Sequence, residues 1–275
     1  MKSLFTNPII INGIIYFASD FHLGAPNATA SKEREQRIIK WLEQIEKDAT
    51  HLFLLGDIFD FWFEYKYVTP KGYFNFLSKL WQLHQKGIEI FYFTGNHDMW
   101  VKKYFSEELG FQIFRRQKAF IINGKRCLVG HGDGLGPKEY GYKFIKRLFA
   151  FRPHICLYSM LHPYFAFGLA HFLSRKSRAM SPDKEQQYMG DDKETLTQYV
   201  LEISQKENFD YFIYGHRHLP VVKELPNGAI YYNSGDWLTH DSFLRMDEKG
   251  MERDCFKSHE LHLPNSEVNN CQIQK

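Results

Sequence analysis

Seven residues of metal-binding type stand in five short clusters along this chain. They are Asp20 and His22 in DFH, Asp57 in GDIFD, Asn96 in GNHD, His131 in GHGD, and His216 and His218 in GHRH. No cysteine is among them. Carboxylate, imidazole and amide oxygen together suit manganese or iron, admit zinc, and argue against a thiolate site. A carboxylate has two oxygens and can bridge ions held roughly 3.5 to 4 Å apart, the spacing of two-metal hydrolases, and Asp57 is the candidate bridge. Residues i and i+2 of an extended segment point the same way, so Asp20 with His22, and His216 with His218, are expected to reach a common ion from an extended strand end. Taken singly, each cluster has an ordinary explanation, as a helix cap, an asparagine turn or a surface histidine. Taken together they do not, because core strand ends have no need of a histidine or carboxylate each time.

The elements that must carry these residues are visible as short apolar runs, each closing on one of the clusters: IIYFASDFH, HLFLLGD, IEIFYFTGNHD, KRCLVGHGD, YFIYGHRH and AIYYNSGD. They read as buried strands. Helical periodicity lies between the first of them. Ile38, Trp41, Leu42 and Ile45 are expected on one face, and Tyr73, Leu77, Leu80, Trp81 and His84 on another. This alternation predicts an α/β fold, in which ligands gather beyond the carboxyl ends of the strands. The core is expected over residues 1–135 and 208–258. An inserted helical cap is expected over 136–207, including a polar helix around 183–207, and a loose polar tail over 259–275.

Composition narrows the setting. The net charge of +3 is too small to mark a nucleic-acid protein, but it is unevenly spread. From Lys138 to Arg178 there are eight Lys or Arg, one acidic residue and ten Phe or Tyr, which leaves 27 basic against 31 acidic residues elsewhere. A basic, aromatic, helical cap suits an anionic amphiphile, its apolar faces taking acyl chains and its cations meeting phosphates or a membrane surface. Cys127, Cys156, Cys255 and Cys271 lie far apart with no CxxC pair, which points to a reducing compartment. No signal peptide is read at the N-terminus, and no run of about 18 apolar residues exists to span a bilayer.

The ordered set DFH, GDIFD, GNHD, GH and GHRH resembles the calcineurin-like metallophosphoesterases. The likeness covers roughly residues 14–132 and 210–236. It implies a two-sheet β-sandwich flanked by helices. It also implies one divalent metal on Asp20, His22, Asp57 and His218 and another on Asp57, Asn96, His131 and His216. The two ions would generate a hydroxide that attacks phosphorus. His97 would donate to the phosphate or leaving group, with Asp98 orienting its ring, while Asp60 and Asp133 are read as supporting groups.

The start DFHLGAP, the segment GDIFDFWFEY and the cap's place between GHGD and GHRH resemble, more narrowly, the UDP-2,3-diacylglucosamine pyrophosphatases of lipid A synthesis. That family is manganese-dependent and lies peripherally on the cytoplasmic face of the inner membrane. The resemblance implies a nucleotide-sugar lipid substrate, cleaved to UMP and 2,3-diacylglucosamine 1-phosphate, with Arg178 and Lys193 as candidate phosphate contacts and no nucleic acid as partner. One departure is the histidine at position 97, where the best-defined branch carries arginine. The alternative reading is a phosphodiesterase or nuclease using the same metals, its basic cap holding a phosphate backbone.

Overall fold

The computed structural model describes residues 3–137, 139–170, 172–174, 188 and 190–256 in full, and the backbone alone at 171 and 175–179. The chain begins with β1 (Ile9–Ile11), β2 (Ile15–Ala18), α1 (Ala28–Ile45), β3 (His51–Leu54), α2 (Phe74–Gln85), β4 (Glu89–Phe93), α3 (Tyr104–Glu107), β5 (Gln112–Phe114), β6 (Lys118–Ile122) and β7 (Lys125–Val129). Three helices follow, α4 (Tyr140–Phe149), α5 (Arg152–Ser159) and α6 (Pro163–Ala179). The chain then returns through α7 (Thr195–Ser204), β8 (Tyr211–Tyr214), β9 (Pro220–Glu224), β10 (Ile230–Ser234), β11 (Ser242–Asp247) and β12 (Gly250–Cys255).

Two six-stranded mixed sheets stack face to face, ordered β12-β11-β2-β3-β4-β5 and β1-β6-β7-β8-β10-β9. All six runs expected as strands are strands. β2, β3 and β4 are mutually parallel, as are β7, β8 and β10, so each set delivers its carboxyl ends to one edge.

Side chains alternate across each strand. In the first sheet Phe17, Phe53, Phe91 and Phe93 point between the sheets, where they meet Phe120, Val129 and Ile213. Tyr16, Leu52, Leu54, Ile90 and Tyr92 point outward beneath α1 and α2. Phe53 lies 4.8 Å from Phe17 and 4.6 Å from Phe91, ring centre to ring centre, and meets Phe120 edge-on at 5.1 Å. Phenylalanines thus fill much of the space between the sheets. α1 starts where the Asn27 side chain accepts the Ala30 N–H at 3.0 Å, and it buries all four residues expected on its apolar face.

Two expectations are corrected. α2 buries Phe76, Leu77, Leu80 and Leu83 and leaves Trp81 44% exposed, so its apolar stripe is rotated from the one read. The larger indole sits at the rim, where part of its ring stays wet. The polar helix assigned to the cap is described only as α7, and it belongs to the core. Leu196, Val200 and Ile203 pack with Leu128, Phe212 and Tyr214 on the outer face of the second sheet. Its polar residues cover the solvent side of a helix whose other face is buried. The expected tail over 259–275 lies outside the described residues.

α4, α5 and α6 project from the edge where the strands end. α4 and α5 bury no residue, and Phe144, Leu157, Met160, Tyr164 and Phe165 are each more than 60% exposed. Among the described residues no helix is long and apolar enough to cross a membrane.

Phe21 ties the fold to that edge. It stands between Asp20 and His22, is fully buried, and meets Trp41, Phe76 and Trp237 edge-on with ring centres 6.3, 5.9 and 5.4 Å away. Phe21→Ala is expected to cost about 3 to 5 kcal/mol of stability by denaturant unfolding. It should also lower the metal content of the folded fraction, which elemental analysis reads.

Candidate metal centre

Each cluster sits just past a strand, where the chain turns sharply. Asp20, His22, Asp57, His216 and His218 all have φ between 42° and 67°. The left-handed region is unfavourable for residues with a Cβ and persists only where surrounding contacts hold it. Those contacts are backbone hydrogen bonds between neighbouring loops. The Asp20 N–H donates to the Gly56 carbonyl at 3.0 Å, His22 N–H to Asp57 at 2.9 Å, and Gly215 N–H to His131 at 2.9 Å. Asp20 and His22 therefore do not converge as alternate residues of an extended segment. β2 ends at Ala18, and two left-handed turns bring the side chains together. The GHRH pair converges in the same way.

One ligand-type atom each from Asp20, His22, Asp57 and His218 lies within 4.8 Å of the others, and so do atoms from Asp57, His131 and His216. Asp57 is common to both groups. Its Oδ1 accepts the His97 N–H at 2.8 Å, while its Oδ2 lies 3.4 Å from His131 Nε2 and 3.8 Å from His22 Nε2. One oxygen is committed to the backbone and the other faces both imidazoles. Asn96 joins the second group, its Oδ1 3.3 Å from His131 Nε2, and the other His131 nitrogen meets the Leu55 carbonyl at 2.7 Å. Asp20 Oδ2 accepts the Ser19 hydroxyl and the His216 N–H, whereas Asp20 Oδ1, 3.2 Å from His218 Nε2, and His22 Nδ1 are buried without a well-formed hydrogen bond. Orphaned buried polar atoms of this kind are costly unless a further ligand completes them. The donor set around them fits divalent cations.

Charge in the metal-free cluster is distributed accordingly. Burial works against ionising Asp57, but His131, His97 and His22 outweigh it and hold the carboxyl well below its usual range. Asp20 is lowered too, with His218 overcoming burial. Burial disfavours an imidazolium at His131, yet Asp57, then Asp20 and Asp133, push it up to about 10. His22 and His216 are held neutral by burial, at about 3 and about 4. The two buried carboxylates thus keep a proton on His131 when no cation neutralises them.

One supporting residue differs from expectation. Asp98 does not orient His97. Fully buried, it turns inward, accepting the Gly95 N–H at 2.7 Å on one oxygen and the Ile58 N–H at 2.9 Å and Tyr92 hydroxyl at 2.5 Å on the other. It fastens the GNHD loop to the GDIFD loop, and burial, with Asp57 close by, raises it to about 6. The residue behind His97 is Asp60. Its carbonyl accepts from His97 Nδ1 at 2.9 Å, and its carboxylate lies 3.6 Å from the same nitrogen, which leaves Nε2 as the nitrogen available to the cavity. His22, Asp60 and His97 form a third close group. The signal for Asp60 is the second aspartate of GDIFD, and its role is the supporting one expected of it.

Beside the cluster lies a cavity of about 570 Å³. Asn96, His97, Asp60 and Lys146 are among its polar lining residues, and Phe61, Trp100, Ile155, Leu169 and Leu173 among its apolar ones. Of the two phosphate contacts expected from sequence, Lys193 is exposed in the turn before α7 and is not part of this wall, and the Arg178 side chain is outside the described residues.

The sequence profile of the calcineurin-like phosphoesterases matches residues 14–220, a span that includes every cluster. The chain belongs to the calcineurin-like phosphoesterase family. It is a hydrolase of that family, and its curated relatives agree with one another. A protein of Porphyromonas gingivalis W83 named UDP-2,3-diacylglucosamine hydrolase is 34% identical over 249 residues, covering 85% of this chain and 94% of the relative. Proteins of the same name from Shewanella baltica and Pseudomonas savastanoi pv. phaseolicola are each 26% identical, covering 86% and 88% of this chain and 94% and 96% of theirs.

Metal ligands must be deprotonated to bind, so loading this calcineurin-like site should expel the His131 proton. Because His131 sits at about 10 in the metal-free protein, apparent metal affinity should fall as pH is lowered from 9 through neutrality. Calorimetric manganese titration in buffers of different ionisation enthalpy should read about one proton released at pH 8; none would contradict the assignment. Gly95 gives a second check, since a Cβ there would lie 2.1 Å from Asp57 Oδ1 and 2.6 Å from its amide nitrogen. Gly95→Ala should displace that carboxylate, and the purified protein should retain its fold by circular dichroism while losing bound metal.

Proposed function

We propose that this chain hydrolyses the pyrophosphate bond of UDP-2,3-diacylglucosamine, giving UMP and 2,3-diacylglucosamine 1-phosphate, with manganese as its metal. The observation that carries the proposal is the apolar cavity opening directly beside Asn96 and His97. A phosphoesterase acting on small polar esters has no use for such a wall, whereas a substrate whose phosphate adjoins fatty acyl chains needs one. The names of the relatives point to the same substrate.

Asp20, His22, Asp57 and His218 would hold one cation, and Asp57, Asn96, His131 and His216 the other. Bound there, divalent ions supply the positive charge that neutralises phosphate oxygens and makes water acidic enough to attack phosphorus. The chain's own residues do the rest. Asp57 keeps one oxygen on the His97 amide, so the other cannot swing away from the cluster. Nδ1 of His97 is tied to the Asp60 carbonyl, so its ring presents Nε2 to a phosphate oxygen or to the departing UMP or sugar phosphate. The apolar wall draws acyl chains out of water and excludes solvent from the reacting group.

The cap also offers a membrane contact. Phe144, Phe151 and Leu157 are exposed beside the exposed Arg147 and Arg152. Such a surface suits the anionic cytoplasmic face of the inner membrane, from which a diacylated substrate must be taken.

UMP release from UDP-2,3-diacylglucosamine by the manganese-loaded protein, measured beside unacylated UDP-N-acetylglucosamine and a small aryl phosphodiester, tests the proposal. Turnover confined to the acylated sugar is expected. Hydrolysis of the aryl ester without lipid turnover would overturn the substrate while leaving the phosphoesterase chemistry. In the same assay His97→Ala should lower turnover by about 10² to 10⁴-fold with metal content unchanged.

A further inference from the structure

Lys146, on α4, is the one lysine or arginine among the described residues that line the cavity, a lining it shares with Asn96 and His97. Its ammonium lies 2.5 Å from Asp133 Oδ2 and also donates to the Asp133 carbonyl at 3.4 Å. Tyr142, one helical turn earlier, donates its hydroxyl to the same Oδ2 at 2.7 Å. Asp133 is only two residues past His131, so this cavity-lining cation is held directly against the loop that carries a residue of the metal-type cluster.

The two partners are unequal. The Asp133 side chain is 5% exposed, but that of Lys146 is 35% exposed and its stem lies along the cavity. An ammonium has three donors, and Asp133 takes two. A third N–H is left at the junction between the metal cluster and the apolar wall. Paired with Asp133, the ammonium adds little net charge beside the cluster, and its remaining N–H can still donate to an anion that enters between them.

We propose that Lys146 is a specificity-determining phosphate contact, donating to the phosphate of an amphiphilic substrate whose apolar part fills the cavity, with Asp133 as its positioning residue. This rests on the reading of the cavity as an acyl site, but it concerns the charged end of the substrate and extends to any phosphate joined closely to an apolar chain. It differs from the contact expected at Lys193, which lies in the turn before α7 and outside the cavity lining. α4 alone would then read both features of the substrate, its charge through Lys146 and its chain through Ile145 and Leu148 of the same wall.

Calorimetric binding of n-octyl phosphate and of the neutral n-octyl glucoside to the manganese-loaded protein, both below their micelle concentrations, separates charge recognition from cap packing. Wild type is expected to bind the phosphate, and Lys146→Met to bind it about tenfold or more weakly, the scale of a lost charge-assisted hydrogen bond. Glucoside binding should be the same in both proteins, and Lys146→Arg should recover most of the phosphate affinity. Equal losses for both ligands would make Lys146 only a strut of the cap and overturn the inference, as would unchanged phosphate binding in Lys146→Met or no phosphate binding by wild type. Neither ligand contains a nucleotide or an acylated sugar, so failure of the UDP-2,3-diacylglucosamine assay with a selective Lys146 effect would reject that substrate and keep the phosphate contact.

Discussion

Asp57 divides its carboxylate between two tasks, and most of the architecture around it follows from that division. One oxygen accepts a backbone N–H from the GNHD loop, and the other faces imidazoles of both ligand groups. A carboxylate in this position is fully desolvated, as is Asp20 beside it. Two such charges are tolerable only if positive charge meets them, whether the proton on His131 or bound cations. The surrounding loops must therefore be stiff enough that the charges cannot relax toward solvent. Left-handed residues, interloop backbone hydrogen bonds and glycines with no room for a Cβ supply that stiffness at three strand ends at once.

Stiff loops need a stiff base. The stacked phenylalanines of β2, β3 and β4 hold the sheets together from inside, while Phe21 is clamped from outside by Trp41, Phe76 and Trp237. Because Phe21 separates Asp20 from His22, its burial sets where both side chains emerge. Asp98 does the same for the neighbouring pair of loops by polar means, bonding Gly95, Ile58 and Tyr92. Packing and hydrogen bonding thus meet on the same few backbone atoms.

The cap is fastened to these loops. Ser174 bonds the carboxylate of Asp60, Trp100 bonds the Phe149 carbonyl, and Tyr142 and Lys146 converge on Asp133. Each core residue in these contacts lies within four positions of a metal-type ligand. A substrate wedged under α4 and α6 consequently presses on the segments that carry the reacting groups. Ile145, Leu148 and Phe149 of α4 line the cavity and remain partly open to solvent.

By itself the sequence determined the identity and order of the ligand-type residues, the six strands that deliver them and the α/β character of the core. Those features are local, because an apolar run of strand length and the polar cluster that ends it are neighbours in the chain. Also visible was the charge and aromatic bias of the segment between GHGD and GHRH. Only the tertiary structure decided which residues face one another across loops. That His97 is backed by Asp60 and not by its neighbour Asp98 depends on the direction in which a buried carboxylate turns, and nothing in GNHD encodes it. That α7 joins the core depends on the second sheet offering it an apolar face. That Lys146 stands at the cavity depends on Asp133, thirteen residues earlier, being folded back against it. Sequence spacing records which groups are near along the chain, whereas burial and hydrogen bonding select among the contacts that folding makes between distant segments.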